Sequence, residues 1–149
     1  MRGILIRLGW GRCELSCSSQ REHSPPLSCS PHAVDELADI RYSYAYDVMV
    51  RHGGQFLENR RVFAMTDATI PDGIKCDMRG NVYAGCADGV NVWGPGGNLI
   101  GKILVGSFCA NFCFTKSGEI FMLSEEKAYL ARIAQSTKGA LLHNLGVDV

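Results

Sequence analysis

At 149 residues the chain is long enough for one ordinary domain with its own core. Hydrophobic residues make up 46% and charged residues 20%, a globular rather than a disordered balance. The formal net charge is zero, without the basic footprint of a nucleic-acid binder. Apolar runs such as Gly3-Ile4-Leu5-Ile6 fall far short of the roughly 20 residues of a bilayer span, so neither nucleic acid nor membrane is expected as a partner. Arg7 interrupts that first run and a Gly-rich polar stretch comes next, which makes a poor signal peptide.

Residues 13 to 31 are rich in Ser, Cys and Pro and have no hydrophobic period, so residues 1–40 are expected to be a flexible segment unrelated to the rest of the chain. Cys13, Cys17, Cys29 and His32 have the residue types of a zinc site, but their gaps are wide and irregular. A short helical patch is expected from Pro31 to Ala38. Seven cysteines cannot all pair within one chain. Cys76, Cys86, Cys109 and Cys113 sit in apolar, strand-like runs where a free thiol behaves as a small hydrophobe, pointing to a reducing, cytoplasmic setting.

From Tyr42 the pattern changes to strands and glycine turns. Tyr42, Tyr44, Tyr46 and Val48 alternate with Ser43, Ala45 and Asp47, the period of a half-buried strand. A turn at Gly53-Gly54 leads to a return through Phe56-Leu57 and Val62-Phe63-Ala64-Met65. Gly73-Ile74-Lys75-Cys76, a turn at Asp77-Met78-Arg79-Gly80, and Asn81-Val82-Tyr83-Ala84-Gly85-Cys86 come next. Asp88-Gly89 turns the chain into Val90-Asn91-Val92-Trp93, and Gly94-Pro95-Gly96-Gly97 leads to Leu99 through Val105.

The segment from Gly73 to Tyr83 aligns without gaps on the segment from Asn111 to Phe121, each an apolar strand, a polar turn ending in Gly and a second apolar strand. The hairpin at Gly53-Gly54 similarly resembles the one at Gly96-Gly97. Repeats of roughly 40 residues built from four strands are propeller blades. Residues 41–134 are therefore expected to form an incomplete β-propeller of about two to three blades, too short to close a ring. Residues 135–149 are expected to be a frayed tail.

Within this region Tyr44-Ala45-Tyr46-Asp47-Val48, Asn59-Arg60-Arg61-Val62-Phe63-Ala64, Ile70-Pro71-Asp72-Gly73-Ile74-Lys75-Cys76-Asp77, Gly80 through Cys86, Asp88-Gly89-Val90, Val92-Trp93 and Asn111-Phe112-Cys113-Phe114 succeed one another. In that order and spacing they resemble the gluconolactonase and senescence-marker (regucalcin-like) family, and most closely its fungal lactonohydrolase branch, over the C-terminal part of its domain. The resemblance implies a six-bladed propeller, a divalent cation, usually calcium, at one mouth of its channel, and hydrolysis of a small-molecule lactone. It also implies that Asp72 of the Pro-Asp-Gly motif is both metal ligand and general base. Pro71 would stiffen the approach and Gly73 would permit the sharp turn into an innermost strand. The family's remaining ligands, a Glu and Asn residues of earlier blades, precede the matched stretch. Glu14, Glu22 and Glu36 stand in unrelated context and take no ligand role.

Other features have plainer readings. Asp77 and Asp88 are expected to form turns, and Asn111 to bond backbone rather than metal. His52 and His143 are expected in solvent, and Trp93 between blades. Gly96 through Lys102 has a phosphate-loop look, but Ile103 stands where Ser or Thr is needed, and a strand where a helix is needed. No nucleophile elbow is present. Two functions therefore compete: lactone hydrolysis, and an inactive propeller piece that binds or self-associates through open strand edges.

Overall fold

The computed structural model describes residues 41–67, 70–115 and 118–147 in full, and residues 3–8 by their backbone. The Cys13, Cys17, Cys29 and His32 set and the helical patch at 31–38 lie outside the described residues. Among the described residues ten strands are joined mostly by tight turns: β1 (Gly3–Leu8), β2 (Tyr42–Arg51), β3 (Gly54–Met65), β4 (Ile74–Cys76), β5 (Val82–Cys86), β6 (Gly89–Trp93), β7 (Leu99–Leu104), β8 (Asn111–Phe114), β9 (Glu119–Leu123) and β10 (Ala128–Arg132). Among the described residues one short helix, α1 (Ala140–Asn144), comes after them.

The strands form three antiparallel sheets, ordered β1-β2-β3, β4-β5-β6-β7 and β8-β9-β10. The middle sheet is a four-stranded blade, and the fold is the expected all-β propeller arrangement. The internal repeat is structural: β4-turn-β5 and β8-turn-β9 are equivalent hairpins. The aligned glycines Gly80 and Gly118 share left-handed backbones, with φ of 80° and 77°. At Gly80 this lets the chain reverse within one turn, closed by its N–H on the Asp77 carbonyl at 3.1 Å.

The core occupies the two joints between sheets. Val90, Val92 and Tyr83 of the middle blade pack against Phe112, Phe114, Ile120 and Met122 of the next, with Cys109 between them. On the other side Trp93, Ala84 and Cys86 meet Ala64, flanked by Phe63 and Ile74. Trp93 is thus core between sheets, as expected. Both faces of the middle blade are covered, which explains why β5 and β6 are buried along their whole length.

Several expectations need correction. The alternation from Tyr42 does not mark a strand with one wet face, because Ser43, Tyr44 and Ala45 are all buried. Tyr44 is roofed by the Arg60 guanidinium 3.9 Å above its ring, while Ala45 faces the joint with the next blade. The β2-β3 turn is centred on His52 and Gly53, both left-handed at φ 50° and 78°, one residue earlier than expected. Gly3–Leu8, within the segment expected to be flexible, is a strand in register with β2 from Gly3 opposite Val48 to Leu8 opposite Ser43.

Residues 135–144 are not a frayed tail. Thr137 is buried, Gly139 bridges Asp77, the Met78 N–H reaches the Lys138 carbonyl at 2.9 Å, and Leu142 packs on the core. Cys86 and Cys109 are buried, whereas Cys76 and Cys113 are exposed. Cys113 is exposed because β8 alternates, sending Phe112 and Phe114 inward and Asn111 and Cys113 outward.

Candidate functional site

Asp72 stands where the middle blade meets the next one. Its own N–H donates to the Gly85 carbonyl on β5 at 2.8 Å, and the Gly85 N–H returns a bond to the Gly73 carbonyl at 2.9 Å. The Gly73 N–H crosses to Ala110, just before β8, at 2.9 Å. The Pro71-Asp72-Gly73 turn is therefore stitched to its own blade and to the adjacent one. Pro71 is fully buried beneath it and Asp72 half-buried. Glycine at 73 has a steric cause as well: a Cβ there would lie 2.5 Å from Asn111 Oδ1. A Cβ on Gly85 would collide with the Cys109 carbonyl.

Next to this turn lie Asn111, Lys75 and Cys109. Asn111 Oδ1 accepts from the Phe112 N–H at 2.8 Å and from Lys75 Nζ at 3.2 Å. The expectation of a backbone-bonding asparagine describes the first of these bonds. The bond from Lys75 goes beyond that expectation, although a lone charge inside the short run Ile74-Lys75-Cys76 is a visible signal in the sequence. Burial pushes the Cys109 thiol above its usual range, and the Asp72 charge pushes in the same direction, so a buried, protonated thiol borders the carboxylate.

Calcium takes about six to eight oxygen ligands. Among the described residues no group of three or more His, Cys, Asp or Glu side chains converges on a possible metal position. Beside Asp72 the nearest amide oxygen, that of Asn111, already faces the Lys75 ammonium, a positive charge that opposes a second cation there. The described residues alone do not fit a calcium cage.

The remaining candidates keep plainer roles. Asp77 and Asp88 lie in turns, Asp88 holding Lys102 at 3.2 Å. His52 and His143 are exposed. Gly96 through Lys102 is a turn running into β7, not a phosphate loop. A cleft of about 580 Å³ opens between β3 and β4, lined by Val62, Phe63, Ile74, Cys76, Val82 and Pro95. No described helix is long and apolar enough to cross a membrane.

Residues 34–126 match the family model described as the SMP-30/gluconolactonase/LRE-like region. The chain belongs to that family. The match covers more than half of the chain and includes the Asp72 turn and both joints between sheets. Two solved structures are similar in fold. A provisionally assigned gluconolactonase from the Northeast Structural Genomics Consortium superposes with a TM-score of 0.57 at 21% identity, over 66% of this chain and 33% of its own. A gluconolactonase of Xanthomonas campestris, described as important in glucose secondary metabolic pathways, gives 0.52 at 22% identity, over 62% of this chain and 34% of its own. The chain thus spans about a third of the length of these family structures. No curated protein matches it.

Proposed function

We propose that this protein hydrolyses a lactone of a sugar acid or related hydroxy acid, with Asp72 as general base. The observation that carries the reading is the double stitching of the Asp72 turn to Gly85 and Ala110, inside the stretch that matches the family. A carboxylate on a rigid turn can take a proton from water as that water adds to the lactone carbonyl. Collapse of the tetrahedral adduct expels the ring oxygen, which recovers the proton from Asp72 and leaves the open hydroxy acid. Calcium belongs to this proposal as the cofactor for which Asp72 supplies one ligand. Its other oxygens would come from beyond the described residues, and the proton transfer by Asp72 does not use it.

The test is lactone ring opening monitored by acid release, using Asp72→Asn beside the natural chain and calcium titration of the same samples. The expected result is turnover reduced by about 10²-fold or more in the variant, with unchanged β content by circular dichroism. Retained turnover in Asp72→Asn would remove this residue from the mechanism.

A second reading, a binding or self-associating module without catalysis, has its own support. Edge strands β3, β7 and β10 carry exposed Val62, Ile100 and Leu130, and open edges with apolar side chains recruit further strands. Sedimentation that depends on protein concentration, in samples without turnover, would favour it.

A further inference from the structure

Two cationic side chains among the described residues are half-buried, Lys75 and Lys102. Lys102 is neutralised by Asp67 at 2.8 Å and Asp88 at 3.2 Å. Lys75 differs. Among the described residues it has no carboxylate partner, only the neutral amide oxygen of Asn111 at 3.2 Å. Its ammonium also lies 5.6 Å from the centre of the Phe112 ring, a weak attraction that orients the charge without cancelling it. An ammonium has three donors, so two remain once Asn111 has taken one. The stem of Lys75 is half-buried while its ammonium, at the bond to Asn111, is exposed, so an anion can reach a charge that no described carboxylate already holds.

Its place in the fold gives this charge a use. Lys75 sits on β4 three residues beyond Asp72, and its partner Asn111 opens β8 on the outward, exposed face of that strand. Asn111 also touches the Gly73 position. The ammonium is therefore fixed at the same junction of two blades as the Asp72 turn, by an amide rather than by an acid.

We propose that Lys75 is a specificity-determining residue that binds the carboxylate of the ligand: the acid product, or a lactone that itself carries a carboxylate. Asn111 acts as its positioning residue. This rests on the proposed function for the identity of the acid, but its test does not require turnover. Gluconate serves as the probe, and sorbitol as a neutral polyol of similar size. Both are titrated calorimetrically into the natural chain, Lys75→Gln, Lys75→Arg and Asp72→Asn, each checked for β content. The natural chain is expected to bind gluconate in preference to sorbitol, and more weakly as salt is raised. Lys75→Gln is expected to weaken gluconate by about tenfold or more, with Lys75→Arg recovering most of it and Asp72→Asn retaining it. Gluconate affinity unchanged in Lys75→Gln, or absent in the natural chain, overturns the proposal. Turnover that depends on Asp72 while Lys75→Gln binds gluconate normally sinks this inference alone. Binding that depends on Lys75 without any turnover sinks the hydrolase reading alone.

Discussion

The Tyr83 hydroxyl donates to Asp77 Oδ2 at 3.2 Å inside the joint between the middle blade and the C-terminal segment. Asp77 is buried and accepts three further bonds: Oδ1 from the Arg79 and Asn81 N–H groups at 2.9 Å each, and Oδ2 from Asn81 Nδ2 at 2.8 Å. The carboxylate closes the β4-β5 turn and anchors Tyr83 beside Phe114, whose rings meet edge to face at 5.0 Å. Asp77→Ala removes the acceptor of four donors, the Tyr83 hydroxyl buried and the other three part-buried. Such losses are worth on the order of 3 kcal/mol, so urea denaturation should show a correspondingly lower midpoint. Asp77→Asn should lose less, since its amide oxygen still accepts from the turn.

Alkaline pH tests both joints of the middle blade. Burial, then the Asp77 charge and hydrogen bond, push the Tyr83 phenol from 10.0 up to about 12. Burial first, and the Asp88 charge second, push the Cys86 thiol from 9.0 up to about 12. In both cases the unfolded chain gives up its proton at a lower pH than the folded one. The stability these protons provide is therefore complete below pH 9, and is lost as pH rises towards 12. For Tyr83 the loss runs from pH 10 to 12, because the folded chain holds the phenol proton more tightly than the unfolded one. Tyr83→Phe should flatten the stability profile over that span. A profile as steep as that of the natural chain would show that the phenol does not titrate as described.

Sequence makes some of this legible and hides the rest, for physical reasons. The strand-turn-strand repeat is visible because Gly80 and Gly118 must adopt the same left-handed backbone at the same offset, and backbone demands leave residue-type traces. Trp93 between sheets is expected from its size and apolar setting. The folding of residues 135–144 leaves no such trace, since Thr137, Lys138 and Gly139 are held through backbone bonds and the bridge to Asp77. Most residues can make those; the exception is Gly139, where a Cβ would lie 2.6 Å from the Phe114 side chain. The Asp72 turn is legible as a motif, but Lys75 against Asn111 is a pairing 36 positions apart, which one sequence without covariation does not encode.

Gly85 ties the site to the fold. Any side chain there meets the Cys109 carbonyl, while the Gly85 carbonyl holds the Asp72 N–H. Gly85→Ala should force the two blades apart, lowering the thermal midpoint and, in an active protein, reducing turnover with it. Asp72→Asn should lower turnover without opening the joint. Equal stability of Gly85→Ala and the natural chain by calorimetry would mean that the joint is looser than its geometry.

Asn91 offers a test in the opposite direction. It is buried on β6 opposite Lys102 and Ala84, and neither its Oδ1 nor its Nδ2 has a hydrogen-bond partner among the described residues. A buried amide without partners opposes folding by roughly 1–3 kcal/mol. Leucine has nearly the same shape, would continue the apolar face of Trp93 and Ala84, and removes the unmatched groups. Asn91→Leu is therefore expected to raise the thermal midpoint, the reverse of what most core substitutions do. A lowered midpoint would show that the amide is satisfied by solvent held within the joint, making this asparagine a stabilising part of the interface between the first two sheets.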